Sequence, residues 1–95
     1  MPAYVIVETD IHDPEQYERY KEASPAAVAS GGGRFVARGG ELAVFEGEWQ
    51  PNRLVILEFP DLDTAKRWYA SETYQDAKKL RDGAATLNMV AVEGL

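Results

Sequence analysis

Glutamates near the ends of apolar segments are the residues of this 95-residue chain best suited to acid–base chemistry. They are Glu8, Glu46, Glu58 and Glu93. A buried carboxylate must pair with a cation or take up a proton more readily. Arg38 is the candidate counter-ion for Glu58 or Glu46, while an unpaired Glu58 in an apolar chamber is a candidate general base. The same glutamates also fit strand ends in water or structural ion pairs.

His12 is the only histidine, and it directly precedes the predicted helix cap Asp13. Histidine in general titrates around neutral pH, which makes His12 a candidate for proton transfer; a solvated loop side chain is the alternative. With one histidine and no cysteine, we expect no metal site and no cofactor within one chain. The absence of cysteine also excludes a thiol nucleophile and disulfides.

Tyrosine and tryptophan are the second group of candidates, because an apolar ring with a polar tip suits both flat organic ligands and interfaces. Trp68 and Tyr69 are adjacent on a predicted helix and must point in different directions. We therefore expect one to pack on the sheet and the other to face outward or toward a partner. Trp49, in a loop beside Pro51, is a candidate pocket lid or dimer anchor.

Four short segments are apolar on both faces, which is typical of strands that are covered on both sides. They are Ala3–Val7, Leu42–Phe45, Leu54–Phe59 and Leu87–Val92. Side-chain alternation places Val5, Val7 and Leu57 on one face and Glu8 and Glu58 on the other. We expect the helices to cover the first face and a second copy of the chain to cover the face with the glutamates.

Strands are predicted at Ala3–Thr9, Arg34–Arg38, Glu41–Glu46, Arg53–Phe59 and Thr86–Glu93, with a hairpin turn at Gly39-Gly40. A helix is predicted from Pro14 to Ala29, with Asp13 and Gln16 as a capping box and a kink or break at Ser24-Pro25. A second helix is predicted after Asp61 or Asp63, with a new cap at Ser71.

The resulting order, β-α-β-β-β-α-β, predicts an α+β fold: one ferredoxin-like domain over residues 1–95, with both helices on one sheet face. Pairing of two open faces would form a barrel-like sandwich, a dimeric α+β barrel. The net charge of −6 argues against nucleic acid or an anionic membrane as partner. Neither a membrane span nor a signal peptide is recognisable, so we expect a cytoplasmic protein.

The chain as a whole resembles the domain-of-unknown-function family 1330 of the dimeric α+β barrel superfamily. The resemblance rests on AYVIVETDIHDPEQYERY, GGRFVARGGELAVFEGEW, RLVILEFPDLDTAKRWYASETYQ and VAVEG. It implies a ferredoxin-like homodimer whose relatives hold small aromatic or cyclic ligands between sheet and helices. The polar positions that it marks are Arg38, Glu46, Trp49, Arg53, Glu58, Trp68, Tyr69, Ser71 and Tyr74.

Three functions are compatible with these observations. The first is a homodimer that binds a small organic molecule, such as an aromatic acid met by Arg38. The second is a cofactor-independent monooxygenase or isomerase in which Glu58 or His12 transfers protons. The third is a structural dimer without a ligand. An enzyme is expected to enclose a pocket of roughly 300 Å³ with convergent polar groups, whereas a structural dimer has a filled chamber with paired or hydrated glutamates.

Overall fold

The computed structural model describes residues 1–95 and confirms the α+β class. Its elements are β1 (Ala3–Ile11), α1 (Pro14–Ser30), β2 (Arg34–Arg38), β3 (Leu54–Phe59), α2 (Leu62–Ala70), α3 (Glu72–Lys79) and β4 (Ala85–Glu93). The four strands form one antiparallel sheet in the order β2-β3-β1-β4. No helix is long and apolar enough to cross a membrane.

The two faces of the sheet differ as the alternation of side chains predicts. Val5, Val7, Val55 and Leu57 are buried and belong to the main core cluster with residues of all three helices. On the opposite face Tyr4, Ile6 and Ile56 are half-buried, and Val90 and Val92 of β4 are 63% and 48% exposed. The helices therefore cover one face of the sheet and leave an apolar face open.

The helix starts follow from short polar side chains that accept backbone N–H groups. Asp13 accepts from the backbone N–H of Gln16 at 3.1 Å, Asp61 accepts from Thr64, and Ser71 ends α2 and caps α3. Of the two hydrogen bonds of the predicted capping box, the one accepted by the Asp13 side chain forms, and the prediction that the Gln16 side chain bonds back to residue 13 is wrong. The amide of Gln16 donates to the carbonyls of Leu80 and Asp82, and thereby ties the start of α1 to the turn after α3.

Helix α1 runs through Pro25 without the break that was one predicted alternative. A proline has no N–H, so the carbonyl four residues earlier, that of Lys21, loses its usual helical partner. Arg38 Nη2 donates to this carbonyl at 2.7 Å. A side chain from β2 thus supplies the hydrogen bond that Pro25 removes.

The predicted strand Glu41–Glu46 is wrong. Residues 39–53 contain no strand, because β2 pairs directly with β3 and Arg38 lies opposite Val55. A β-prone sequence forms a strand only when a neighbouring strand offers its hydrogen bonds. Leu42, Val44 and Phe45 are exposed instead, with Phe45 at 94%. We call residues 39–53 the β2–β3 arm.

Candidate functional site

Glu58 lies on the open face of the sheet, and its carboxylate is fully engaged. Tyr4 donates its hydroxyl to Oε2 at 3.2 Å, and Arg34 donates from Nε to Oε1 at 2.6 Å. Arg34 Nη2 also lies 2.6 Å from Oε1 and completes an ion pair. Charge-assisted hydrogen bonds of this kind are stronger than neutral ones. Glu58 is therefore a paired carboxylate.

The predicted pairing of Glu58 with Arg38 is wrong because β2 contains an irregularity. The register shifts between Phe35 and Ala37, so that Arg34 lies opposite Glu58 and Arg38 lies opposite the buried Val55. A bulge of one residue reverses the side-chain alternation beyond it. Arg38 consequently lies on the helix side of the sheet.

Glu8, the other carboxylate that was predicted on the open face, is held by side chains from neighbouring segments. Trp49, in the β2–β3 arm, donates its indole N–H to Glu8 Oε2 at 3.0 Å, and Asn88 Nδ2 donates to Oε1 at 3.3 Å. Trp49 is 60% exposed, and Glu46 in the same arm is also exposed. The predicted roles of Trp49 as lid or dimer anchor and of Glu46 as a ligand group remain predictions.

His12 and Glu58 lie at opposite ends of the sheet. Glu58 pairs with Tyr4 near the start of β1, whereas His12 follows the last residue of that strand. At about 3.3 Å per residue, the eight residue steps from Tyr4 to His12 span about 26 Å. His12 Nε2 lies 2.8 Å from Thr86 Oγ1 at the surface. The two predicted proton-transfer groups therefore cannot act in one site of the same chain.

A small apolar cavity lies between the sheet and the helices. Its volume is about 30 Å³, room for one or two waters. Tyr17, Tyr20, Phe35 and Trp68 are among its walls. Thr9 and Trp68 also line the cavity. Thr9 Oγ1 and Trp68 Nε1 are both buried without a hydrogen-bond partner. Because buried polar atoms normally have a partner, these two residues of the cavity lining keep unused hydrogen-bonding capacity.

Three cationic side chains lie at one end of this cavity. Lys21, Arg38 and Arg53 line both the cavity and an outer depression of about 370 Å³ that also contains Glu18 and Glu22. The Arg53 guanidinium lies 5.9 Å from the centre of the Tyr17 ring. We call these three residues the cationic mouth.

Glycine at position 39 allows Arg53 its place in the mouth. Gly39 has a φ of +68°, and a Cβ there would lie 2.8 Å from Arg53 Nε. A left-handed backbone is disfavoured for residues that carry a Cβ. The backbone conformation thus favours glycine at this position, and a Cβ there would displace the Arg53 guanidinium.

A wider apolar groove lies at the opposite edge of the sheet, between α2 and β4. Its volume is about 310 Å³, and its lining residues are Val5, Ala65, Lys66, Trp68, Tyr69, Met89 and Ala91. Trp68 and Met89 line both the groove and the cavity. The edge strands of the sheet are β2, on the side of the cationic mouth, and β4, on the side of the groove. The mouth, the cavity and the groove therefore follow one another across the width of the sheet, and Trp68 is a wall of both the cavity and the groove.

Trp68 and Tyr69 are adjacent on α2 and point in different directions, as predicted. Trp68 is 2% exposed and packs against Phe59 and Tyr74, with ring centres 5.0 and 4.3 Å away. Tyr69 is 38% exposed and faces the groove. Tyr74, a further predicted ligand residue, is fully buried behind the cavity wall and bonds to Tyr20, with 2.9 Å between the hydroxyl oxygens.

Sequence reasoning missed Thr9 and Lys21 as members of the site. Thr9 could have been found, because it continues the alternation of Val5 and Val7 and so places a polar group on the apolar face. For Lys21 no local pattern distinguishes a cavity wall from ordinary helix surface. No three His, Cys, Asp or Glu side chains come together in a way that could hold a metal ion.

The family model for the domain of unknown function DUF1330 matches residues 2–95. The chain belongs to this family. No curated protein matches it. Membership of DUF1330 therefore assigns the chain to a family but implies no activity.

Solved structures similar to this DUF1330 chain share its fold at low sequence identity. RPA0582 of Rhodopseudomonas palustris, a protein of unknown function, has 20% identity and a TM-score of 0.74, covering 99% of this chain and 82% of its own. SnoaB of Streptomyces nogalater, a cofactor-independent oxygenase, has 14% identity and a TM-score of 0.66, covering 99% and 93%. A dimeric ferredoxin-like protein of unknown function from Jannaschia has 17% identity and a TM-score of 0.66, covering 99% and 100%.

Proposed function

We propose that this chain is a homodimeric protein that binds a small aromatic acid between its sheet and its helices. The observation that carries the proposal is the cationic mouth, since Lys21, Arg38 and Arg53 line both the surface depression and the apolar cavity. Lys21 is paired with Glu18 at 3.3 Å, whereas Arg38 and Arg53 form no ion pair with a carboxylate. In a chain with a net charge of −6, two unpaired guanidinium groups at one opening favour an anion there. An aromatic ring suits the walls behind it.

The ligand requires more room than the cavity of about 30 Å³ provides. The groove of about 310 Å³ on the far side of Trp68 and Met89 offers that room. A shift of the Trp68 indole would join groove and cavity and would let its unpaired Nε1 meet the guest. Binding is therefore expected to change the environment of Trp68.

Tryptophan fluorescence tests this proposal directly. In a Trp49→Phe background Trp68 is the only tryptophan, so selective excitation of tryptophan reports on Trp68 alone. Benzoate is titrated, and its neutral analogue benzamide is titrated in parallel. We expect benzoate to bind more tightly, because guanidinium groups form charge-assisted hydrogen bonds with carboxylates. Arg38→Gln and, separately, Arg53→Gln are expected to weaken benzoate binding by about tenfold, which corresponds to about 1.4 kcal/mol.

Arg67→Gln is the matched control for both variants. Arg67 is exposed on α2 and bonds to Thr64, away from the mouth, so the variant changes the net charge equally and should leave benzoate affinity unchanged. Equal affinity for benzoate and benzamide, or equal losses in all three variants, would contradict the proposal. If neither compound binds, the structural dimer without a ligand is favoured.

A cofactor-independent oxygenase is the second candidate, favoured by the apolar cavity, two of whose lining residues have unpaired polar atoms, and by the similarity in fold to SnoaB. Neither Glu58 nor His12 lines this cavity. Oxygen uptake in the presence of an acid that binds separates the two candidates. Consumption of oxygen at saturating ligand supports the enzyme, and binding without consumption supports the binding protein.

The homodimer in this proposal forms through the open sheet face. Val90 and Val92 are exposed there beside the half-buried Tyr4, Ile6 and Ile56. An apolar face of this kind is commonly covered by a second copy related by a twofold axis. The dimeric description of the Jannaschia protein supports the same assembly.

A further inference from the structure

A buried trio of polar side chains begins at the cavity wall and extends behind it, and its hydrogen bonds were not used in the proposal above. It consists of Tyr20 on α1, Tyr74 on α3 and Arg81 in the turn after α3. The two hydroxyl oxygens are 2.9 Å apart, and Arg81 Nη2 donates to the Tyr74 oxygen at 3.3 Å. Tyr74 is 0% exposed and Tyr20 is 9% exposed.

The direction of the hydrogen bond between the two tyrosines follows from the donors present. A guanidinium can only donate, so the Tyr74 oxygen accepts from Arg81. The Tyr74 proton then needs an acceptor inside the protein, and the Tyr20 oxygen is the acceptor within reach. If Tyr20 donated instead, the proton of the fully buried Tyr74 would be left unpaired, which is unfavourable. The bonds therefore run from Arg81 to Tyr74 and from Tyr74 to Tyr20.

In this arrangement Tyr20 retains its own hydroxyl proton without an acceptor in the chain, and Tyr20 lines the cavity. Trp68, whose indole N–H is also unpaired, lines the same cavity and can only donate. A chain of hydrogen bonds that begins at a cation polarises its last donor. The cavity thus offers hydrogen-bond donors in its interior as well as cations at its mouth.

We propose that Arg81, Tyr74 and Tyr20 form a hydrogen-bond relay that makes Tyr20 a donor into the cavity, so that the bound aromatic acid carries a second, neutral acceptor oxygen such as a carbonyl. This inference rests on the proposed function and narrows its ligand class. In the relay Tyr20 contacts the ligand, and Tyr74 and Arg81 act through it as positioning residues.

The electrostatics of the trio agree with a donor role. Burial, together with the neighbouring Tyr74, raises the pKa of Tyr20 well above its ordinary value, so the phenol keeps its proton at physiological pH. Burial by itself would lower the pKa of Arg81, but the hydrogen bond to Tyr74 and the nearby phenols outweigh it and the pKa is raised. Arg81 therefore remains the charged start of the relay.

Two pairs of probes of nearly equal shape test the ligand class. These are 3- and 4-formylbenzoate, which carry a carbonyl acceptor, and 3- and 4-methylbenzoate, which do not. We expect at least one formyl compound to bind about tenfold more tightly than its methyl partner to the native chain, because a donor built into the site penalises a ligand that lacks the acceptor. Tyr20→Phe should reduce this ratio to about one.

Tyr74→Phe and Tyr4→Phe separate the relay from general packing. Tyr74→Phe should reduce the ratio because it disconnects Tyr20 from Arg81, whereas Tyr4→Phe removes the hydroxyl of a half-buried tyrosine that lines neither the cavity nor the groove and should keep the ratio. Equal affinity of the native chain for both members of each pair would overturn the relay while leaving the proposed function intact. A ratio that survives Tyr20→Phe would overturn it as well.

A measurement without ligand tests the relay independently of the proposed function. Slowly exchanging hydroxyl protons of buried tyrosines are observable by NMR. The Tyr74 hydroxyl proton should show contacts to the Tyr20 ring, and the Tyr20 hydroxyl proton should show contacts to the apolar groups that line the cavity. A Tyr20 proton directed at Tyr74 would overturn the relay, whereas failure of all four acids to bind would overturn the ligand class and the proposed function together.

Discussion

Gly31 lies at the end of α1, directly against the indole of Trp68. A Cβ at this position would lie 2.6 Å from Cδ1 and 2.8 Å from Cβ of Trp68. Both distances are shorter than carbon atoms in contact can accommodate, so the indole must shift. The absence of a side chain at one residue thus sets the position of the wall shared by cavity and groove.

Gly31→Ala is expected to lower the free energy of unfolding by about 1–3 kcal/mol, because overpacking against a buried ring forces neighbouring groups to move. Gly40→Ala is the matched control, since nothing lies within 4 Å of the added methyl group. It should change stability by less than about 0.5 kcal/mol. Urea unfolding of both variants measures the difference, and equal stabilities would show that the Trp68 contact is not restrictive.

Arg38 illustrates how one side chain can connect two elements. It leaves β2 on the helix side, donates to the Lys21 carbonyl of α1 and lies 4.6 Å from the centre of the Phe35 ring. The carbonyl is available because Pro25 provides no N–H. The proline in the helix and the arginine in the strand therefore form a matched pair.

A double-mutant cycle tests this pairing at the level of the elements. Arg38→Met should lower the free energy of unfolding by about 1 kcal/mol in the native background. In a Pro25→Ala background it should cost less, because the restored N–H of residue 25 can bond to the Lys21 carbonyl. We expect a coupling of about 0.5–1.5 kcal/mol in urea unfolding. Strictly additive effects would indicate that Arg38 does not compensate for the proline.

The start of α2 is expected to depend on acid pH. Hydrogen bonds from Thr64 hold the pKa of Asp61 below its ordinary value of 3.8. A carboxylate with a lowered pKa in the folded state stabilises the fold above pH 3.8, and this contribution is lost as the pH falls through the folded-state value.

Asp61→Asn keeps a capping oxygen but removes the titrating charge. The native chain should therefore be more stable than Asp61→Asn at pH 6, and the difference should shrink steadily below pH 3.8. Urea unfolding midpoints of both proteins between pH 6 and pH 2.5 measure this change. A difference that is constant across the range would contradict the assigned role of the charge.

At the scale of the whole molecule, the sheet has one face in the core and one apolar face open. Glu58 and Glu8 on the open face are held by Arg34, Tyr4, Trp49 and Asn88, and the apolar side chains lie among them. Carboxylates whose hydrogen bonds are already satisfied can be covered at lower cost than unpaired ones. The carboxylates of the proposed dimer interface therefore already have hydrogen-bond partners within one chain.

Val90→Glu tests the dimer interface, because it places a new, unpaired charge on the open face of β4. Light scattering at micromolar concentration should give twice the chain mass for the native protein and a single chain mass for the variant. Thr73→Glu, on the exposed surface of α3, introduces the same charge elsewhere and should leave the mass unchanged. A native protein that is a stable monomer would contradict the proposed assembly.

Much of the architecture is determined by local sequence. The alternation through Val5 and Val7 predicts the buried face of β1, and Asp61 and Ser71 start their helices as predicted. Such features depend on residues that are two to four positions apart, so the residue pattern carries them. The family resemblance is likewise a property of the sequence.

The membership of the candidate site was decided only by the tertiary structure. Because the register shifts between Phe35 and Ala37, Glu58 pairs with Arg34 and not with the predicted Arg38. This register shift arises where β2 pairs with β3, two strands that are separated in sequence by the β2–β3 arm. Tyr20 and Arg81 likewise meet around Tyr74 only because α1 and α3 pack together. Local patterns specify which face a side chain takes within one element, but register and packing between distant elements determine which side chains share a cavity.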